Sequence, residues 1–311
     1  MPRQDLILFA RLAYRVASWQ LPPYGSKFSP KKFTQPSLLA CLCLKEYLKL
    51  DYRGMEALLA SAAELRAALG LTAVPDHSML HWFMRHKVMP TLLKRVRATS
   101  LRLFTRRYRR GRRTMALDAT GFSRRPASRY YVMRLGHGHW AQRFHLASTV
   151  IWTKPQVICA QAARLGPGSQ SRLLPPLVEQ TQALLPIDRL LADADYDSEA
   201  AHRWLREERG IESIIPATGC HPGRAKTPYR RRMQRHFPRR QYGQRWMAET
   251  VYSVIKRKFG EALTARRPWQ QVKQSLLRGL TYNLYRAVRL GLVLLRLLLH
   301  RFIQVSIGVA T

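Results

Sequence analysis

Acidic side chains are scarce in this sequence, and three of them stand where they could bind a cation. Between residues 77 and 178 the one acid is Asp118, against twenty lysines and arginines. Asp118 follows the apolar run "TMAL", Asp193 follows the similar run "RLLA", and Glu249 lies in a stretch with helical periodicity. We therefore expect both aspartates at or near the ends of neighbouring strands, with the glutamate on a covering helix. Carboxylate oxygens suit hard cations, which predicts an all-oxygen site for Mg²⁺ or Mn²⁺.

Three aspartates alternate in the segment "DADYDS". If the strand continues through this segment, its period of two places Asp193, Asp195 and Asp197 on one face. Asp197 directly precedes the helical pattern "SEAAHRW", so we predict that it caps the N-terminus of that helix. Asp195 could support a neighbouring ligand or be exposed. Asp193 is nearest the buried run, and we predict that it is the ligand.

The predicted helix around Glu249 carries four polar residues on one face. Tyr242, Arg245, Glu249 and Lys256 follow one another at spacings of 3, 4 and 7, which brings them to the same side of a helix. The opposite side is apolar and consists of Met247, Val251, Val254, Ile255 and Phe259. Periodicity alone is also explained by an ordinary surface helix with an Arg245–Glu249 ion pair, worth about a few tenths of a kcal/mol.

The N-terminal third of the chain is predicted to be helical. Residues 34–70 have apolar residues at helical spacing, with Gly54 and Gly70 as interruptions. Residues 75–87 form a further predicted helix with Asp76 as its N-cap. Such a domain could be a helix-turn-helix DNA reader or a bundle for packing and dimerisation, and both interpretations stay open.

From residue 114 onward the periodicity becomes that of strands. The segment "TMALDATGF" is β-like, and residues 145–153 and 156–164 predict a hairpin around Lys154–Pro155. A loop and a helix follow, then a buried strand in "IDRLLADADYD", a helix that ends at Gly210, and a strand in "IESIIPA". This order predicts an α/β fold with a mixed sheet.

The charge of the chain indicates a polyanionic partner. Lys and Arg number 54 against 18 Asp and Glu, which gives a formal charge of +36 and a pI near 11.3. Self-repulsion of this size is relieved by a polyanion, and nucleic acid is the expected one. The basic run 94–113 is predicted to be a helical bridge along phosphates.

A membrane partner is not expected. The apolar stretch 290–305 is interrupted by Arg296, His300 and Arg301, well short of the roughly 20 apolar residues of a membrane-spanning helix. We predict that it forms an amphipathic helix. The N-terminus shows no signal-peptide pattern, and the four cysteines form no CxxC motif. A reducing cytoplasm is therefore expected.

The pattern Tyr-x2-Arg-x3-Glu-x6-Lys in residues 242–256 resembles the signature of DDE transposases from bacterial insertion sequences, in the group that includes the insertion-sequence four and five classes. "MALDATGF" and "LADADYDS" are similar to the first- and second-aspartate motifs of that group. The resemblance covers roughly residues 35–285. Asp195 stands where a small residue is common, and the short segment before the glutamate helix leaves no room for the large β insertion of some relatives.

The resemblance implies an RNase H-like catalytic core that binds two divalent ions, Mg²⁺ or Mn²⁺. The implied catalytic and metal-binding residues are Asp118, Asp193 and Glu249. The implied contacts to transposon-end DNA are Tyr242, Arg245 and Lys256. The implied reaction is phosphodiester cleavage at the ends, followed by joining of the 3′-OH ends to target DNA.

The predicted domain organisation has four parts. Residues 1–93 form a helical DNA-binding or dimerisation domain, 94–113 the basic bridge, 114–289 the RNase H-like domain and 290–311 a C-terminal amphipathic helix. The expected partners are double-stranded DNA, both transposon ends and target, and a second subunit in a homodimer. A catalytically silent DNA-binding regulator of the same ancestry is the alternative. An RNA-binding structural protein would explain the charge but not the placement of the acids.

Overall fold

A computed structural model gives the architecture of residues 3–28, 30–105, 107–108, 110–124, 144–166, 170–218 and 225–291. These residues form two compact units, one drawn from Met1–Arg107 and Leu280–Thr311 and the other from Tyr108–Gly279. Of the predicted C-terminal helix, residues 292–311 lie outside the described residues.

The first unit is built from helices. They are α1 (Arg3–Ser18), α2 (Gln35–Leu48), α3 (Tyr52–Ser61), α4 (Ala63–Ala68), α5 (His77–His86), α6 (Pro90–Ser100) and α7 (Arg102–Thr105). The predicted N-cap Asp76 is confirmed, because its Oδ1 accepts the backbone N–H of Met79 at 2.8 Å. Gly70 follows α4 with φ +66°, as its interrupting role requires. Gly54 was wrongly predicted to interrupt a helix: it lies within α3 and donates its N–H to the α3 N-cap Asp51.

The core of this unit is apolar and aromatic. Phe9 of α1 stacks on Tyr47 of α2 with ring centroids 4.3 Å apart. The basic helix α6 also packs through one face, since Val96 and Arg97 are buried. Within the basic run 94–113, which was predicted to be a helical bridge, α6 and α7 are helical, but residues 107–108 and 110–113 form turns and irregular structure, and part of the run faces protein. No helix within the described ranges is both long and apolar enough to cross a bilayer.

The second unit is organised around a mixed sheet, described with six strands. The strands are β1 (Thr114–Arg124), β2 (Phe144–Trp152), β3 (Val157–Leu165), β4 (Arg189–Ala192), β5 (Glu212–Ile214) and β6 (Ala262–Leu263). Their order is β3-β2-β1-β4-β5, and β6 pairs with β1. β1, β2 and β3 are antiparallel neighbours, whereas β4 and β6 run parallel to β1 and β5 runs parallel to β4. The predicted α/β class with a mixed sheet and the predicted hairpin are both confirmed.

Helices flank this sheet in the second unit. They are α8 (Leu174–Gln182), α9 (Glu199–Arg203), α10 (Pro228–Arg235), α11 (Arg239–Tyr242), α12 (Trp246–Phe259) and α13 (Pro268–Arg289), within which the boundary between the units falls. Single 3₁₀ turns occur at Ser171–Leu173, Ala194–Tyr196 and Gly243–Arg245, and a π turn at Trp204–Glu208 extends α9. The central strands β1 and β4 are buried through Met115–Leu117 and Leu190–Ala192, which makes their exit points rigid.

Candidate active site

Asp118 and Asp193 are brought together by the parallel pairing of β1 with β4. In the register of this pair Leu117 lies opposite Ala192, and each aspartate is the next residue along its chain. β4 ends at Ala192, where the chain turns away into a 3₁₀ turn. The edge of β1 is open from this point until β6 pairs with Ser123. Both carboxylates therefore emerge at one gap in the sheet.

The predicted strand end at Asp118 was wrong. β1 continues past it to Arg124 because β2 pairs with β1 without interruption as far as Ser123. The relevant strand end belongs to β4, the neighbour whose departure exposes the Asp118 side chain at the edge.

A backbone hydrogen bond orients each aspartate. Asp118 Oδ1 accepts the N–H of Ala119 at 2.9 Å, and Asp193 Oδ1 accepts the N–H of Ala194 at 2.6 Å. These bonds fix one oxygen of each carboxylate. The second oxygen, Oδ2 in both cases, faces the guanidinium of Arg245.

The guanidinium of Arg245 contacts all three predicted carboxylates. Its Nη1 lies 3.3 Å from Asp118 Oδ2 and 3.9 Å from Asp193 Oδ2, and its Nη2 lies 3.2 Å from Glu249 Oε1. The predicted Arg245–Glu249 pair is thus present, but it is part of a larger cluster. Asp118 on β1, Asp193 directly after β4 and Glu249 on α12, which are separated by up to 131 positions in sequence, meet around the guanidinium of Arg245.

The electrostatics of the cluster show a surplus of negative charge. Burial raises the pKa of the Asp118 carboxyl, and the charges of Asp193 and Glu249 raise it further against the opposing effects of the Ala119 N–H and Arg245. Burial lowers the pKa of Arg245, but the carboxylates outweigh this effect and raise it. One guanidinium facing three carboxylates leaves a site that favours additional positive charge.

The chemistry of these donors fits a hard divalent ion. Asp118, Asp193 and Glu249 offer only oxygen, and Glu249 is 63% exposed at the side chain whereas Asp118 is 14% exposed, so the site opens to solvent on the helix side. In the described part of the chain no three His, Cys, Asp or Glu side chains are arranged as ready ligands of one ion. Asp118, Asp193 and Glu249 are the residues that would hold such an ion, and all three contact the guanidinium of Arg245 in this structure.

Tyr252 is a residue of the site that was not predicted from the sequence. It is buried, and its hydroxyl donates to the backbone carbonyl oxygen of Asp118 at 2.7 Å and is hydrogen-bonded to the hydroxyl of Thr149. The bond joins α12 to β1 at Asp118. A tyrosine on the apolar face of a helix needs a partner for its hydroxyl, and this was the available signal.

The predicted helix of residues 242–256 is interrupted. Tyr242 ends α11, residues Gly243–Arg245 form a 3₁₀ turn, and α12 begins only at Trp246. On α12, Val251, Ile255 and Phe259 are buried as predicted, whereas Met247 and Val254 are only half-buried.

Tyr242 and Lys256 lie at different distances from the carboxylates. The Arg245 guanidinium carbon is 5.8 Å from the centroid of the Tyr242 ring, so Tyr242 borders the cluster. Lys256 is two turns further along α12 than Glu249, and its Nζ lies 3.7 Å from Glu261 Oε1. Tyr242 and Arg245 therefore lie next to the three carboxylates, whereas Lys256 lies further along the helix that carries Glu249.

Asp197 does not cap a helix, contrary to the prediction. The N-cap of α9 is Ser198, whose hydroxyl accepts the N–H of Ala201 at 3.0 Å. The Asp197 carboxylate instead accepts the N–H of Thr218 at 2.8 Å and pairs with Arg230 at 2.9 Å. It holds the segment after β5 against α10.

Comparison with known proteins agrees with this geometry. The family model described as "Transposase DDE domain" matches residues 109–284, which is more than half of the chain. No curated protein matches the chain significantly. The matched range contains the mixed sheet, which is that of an RNase H-like DDE domain, together with all three clustered carboxylates. The chain belongs to the DDE transposase family.

Proposed function

We propose that this transposase cleaves DNA at the ends of an insertion sequence of the four or five type and joins the freed 3′-OH ends to target DNA. One observation carries the proposal: Asp118, Asp193 and Glu249, which are remote in sequence, all contact the guanidinium of Arg245. A purely DNA-binding protein has no need to concentrate its few acids at one point of a strongly basic surface.

The three carboxylates would hold two divalent ions, Mg²⁺ or Mn²⁺. When bound, such ions activate the attacking oxygen and stabilise the leaving oxygen of an in-line displacement at phosphorus. Asp118 and Asp193 are suited to this role because Asp118 lies within β1, Asp193 directly follows the buried strand β4, and each has one oxygen held by an N–H. Glu249 lies on α12, and the hydrogen bond of Tyr252 connects this helix to β1, the strand that carries Asp118.

The basic and aromatic residues beside the triad would position DNA. In this proposal Arg245 exchanges its carboxylate partners for phosphate oxygens, which its planar group can contact in pairs. Lys256 supplies a point charge further along α12, and Tyr242 can stack on a displaced base or donate its hydroxyl to phosphate. These assignments place DNA along the face of α12 that carries Glu249.

The proposed reaction has two displacements. In the first, water attacks a phosphorus atom at the transposon end, a bond from the water oxygen forms, and the bond to the 3′-oxygen breaks to leave a 3′-OH. In the second, this 3′-OH attacks a target phosphodiester and releases a target 3′-OH. We propose that a homodimer holds the two ends, with residues 1–93 serving DNA binding or dimerisation.

A cleavage assay tests the proposal. Wild-type protein, Mg²⁺ and DNA bearing the ends of the encoding element should give nicked and joined products. Asp118→Asn and Glu249→Gln should each reduce the rate by about 100-fold or more, because a metal ion contributes several kcal/mol to the transition state. Asp195→Asn is the matched control, since Asp195 is an exposed acid of the same segment outside the cluster.

The assay also separates the proposal from its alternative. A silent regulator would bind the end DNA without nicking it. Cleavage that persists at the wild-type rate in both triad variants would contradict the assigned site.

A further inference from the structure

The helical unit contains a cavity of about 720 Å³ that the catalytic site does not use. Its volume lies within the range of small-ligand sites, about 300–1,000 Å³. Its lining includes four aromatic and two cationic side chains: Tyr24, Phe33, Trp82 and Phe83, and Lys32 and Lys87.

Trp82 is a large aromatic residue of the cavity lining that is unusually exposed. It lies on α5, whose Leu80, Phe83 and Met84 are buried, yet 46% of its own surface is exposed. The helix thus buries these three apolar side chains and presents a flat indole to solvent. A large exposed aromatic in a concave site is a typical binding element.

Lysines surround the aromatic rings. Lys87 Nζ is 5.6 Å from the centroid of the Trp82 ring, and Lys32 Nζ is 5.4 Å from that of Phe33. On the adjoining loop Lys27 lies 5.0 Å from the ring of Phe28, which is 85% exposed. No carboxylate forms an ion pair with these three lysines anywhere in the described residues.

The one acid in the lining is already engaged. Asp76 Oδ1 accepts the N–H of Met79 at 2.8 Å and the hydroxyl of Ser78 at 2.6 Å, as the cap of α5. The positive charge of the lysines is therefore not neutralised locally. The sequence adds to this imbalance, because it has no acid between Asp5 and Glu46.

We propose that this cavity binds an unpaired DNA base, with Trp82 stacking on the base and Lys32 and Lys87 contacting the adjoining phosphates. Base stacking on an aromatic side chain combined with flanking cations is the general mode of single-strand binding. A base within a duplex has both faces covered, so the occupant must be unpaired. The proposal depends on the proposed function in taking DNA as the polyanion.

Charge complementarity selects this occupant over others. A second copy of so basic a surface would be repelled, and an apolar segment would leave the lysines without partners. A nucleotide satisfies both features of the cavity, since its base is a flat π-system and its phosphate an anion. The N-terminal unit would then hold a strand that has been opened.

Fluorescence anisotropy without divalent ions tests this proposal on the full chain. The probes are a labelled oligothymidylate, an abasic oligomer with the same number of phosphates, and a blunt-ended duplex in which every base is paired. Wild type should prefer oligothymidylate over the abasic oligomer. Trp82→Ala should weaken oligothymidylate binding about 5- to 150-fold and leave the abasic oligomer unaffected, whereas Trp82→Phe should restore most of the affinity.

Trp269→Ala is the matched control. Trp269 is also exposed, at 44%, and has Lys273 Nζ 4.1 Å from its ring centroid, but it lies in the other unit. This control should keep the preference for bases. Equal binding of oligothymidylate by wild type and Trp82→Ala would overturn the cavity proposal and leave the proposed catalysis untouched. If the wild-type protein binds none of the three probes, both the cavity proposal and the proposed function are overturned.

Discussion

Arg245 links the electrostatics of the candidate site to its proposed chemistry. A single guanidinium contacts three carboxylates that would otherwise repel one another across a partly buried gap. Its fork geometry allows these contacts at the same time, because Nη1 serves both aspartates and Nη2 serves the glutamate. A lysine at this position would carry the same charge at one point only.

Arg245→Lys should therefore impair cleavage while the fold persists. We expect the nicking rate to fall about 10- to 150-fold, since hydrogen bonds between charged groups contribute roughly 1.5–3 kcal/mol. The rate is measured at saturating DNA, with kcat and KM determined separately. Arg257→Lys is the control on the exposed side of α12 and should change neither. A fully active Arg245→Lys would contradict a role for the fork.

Tyr252 positions Asp118 through the backbone. In Tyr252→Phe the Asp118 carbonyl and the Thr149 hydroxyl would lose a buried partner, which should cost about 1–3 kcal/mol of stability. We also expect slower nicking with unchanged DNA affinity, because the displaced backbone carries Asp118, a proposed metal ligand. Tyr282→Phe, at a buried tyrosine of the helical unit, is the control. A destabilised Tyr252→Phe that nicks at the wild-type rate would reduce Tyr252 to a structural role.

At the scale of elements, the sequence predicts most of the strands and helices of the second unit, but not β6, α10 and α11 and not every strand end. Hydrophobic runs identify β1 and β4, and the position after "RLLA" places Asp193 correctly. The length of β1 depends on its pairing with β2, which is a long-range property. The break between α11 and α12 is likewise invisible in side-chain periodicity, because a 3₁₀ turn keeps nearly the same face.

The contacts of the site were only partly accessible from sequence. The i,i+4 spacing predicts the pairing of Arg245 with Glu249, since both lie on one helical stretch. The additional contacts of Arg245 with the aspartates require the fold to bring β1, β4 and α12 together. Asp197 was misassigned because Ser198, an equally good capping residue, follows it directly.

The buried His202 couples α9 to β5 and predicts a pH dependence of stability. Its Nδ1 lies 2.7 Å from Ser213 Oγ, and its Nε2 lies 3.9 Å from Asp197 Oδ1. Burial is the main cause that lowers its pKa, with Arg206 and Arg230 adding to the effect and Asp197 and Glu199 opposing it. The folded state therefore binds the proton less readily than the unfolded state does.

It follows that His202 stabilises the fold fully above the ordinary histidine pKa of about 6.5 and that this stability is lost as the pH falls through the lowered folded value. Urea unfolding midpoints at pH 7.5 and pH 5, followed by a probe of the second unit, should show a larger loss of stability at pH 5 in wild type than in His202→Gln. Equal losses in the two proteins would show that His202 does not contribute.

At the scale of the whole molecule, the formal charge of +36 dictates the salt dependence of DNA binding. If about six to ten phosphates are neutralised, the affinity for duplex DNA should fall about 10³- to 10⁵-fold between roughly 50 and 200 mM salt, through counterion release. Titrations of labelled duplex at several salt concentrations give the slope. A nearly flat response would exclude a phosphate-tracking surface.

The central claim is that three distant carboxylates form one divalent-cation site in the presence of DNA. Electron paramagnetic resonance of Mn²⁺ tests it directly, with duplex DNA bound and free ion quantified. We predict that Asp118→Asn, Asp193→Asn and Glu249→Gln each weaken Mn²⁺ binding at least about tenfold, whereas Asp195→Asn leaves it unchanged. Wild-type Mn²⁺ affinity in all three triad variants would contradict the claim.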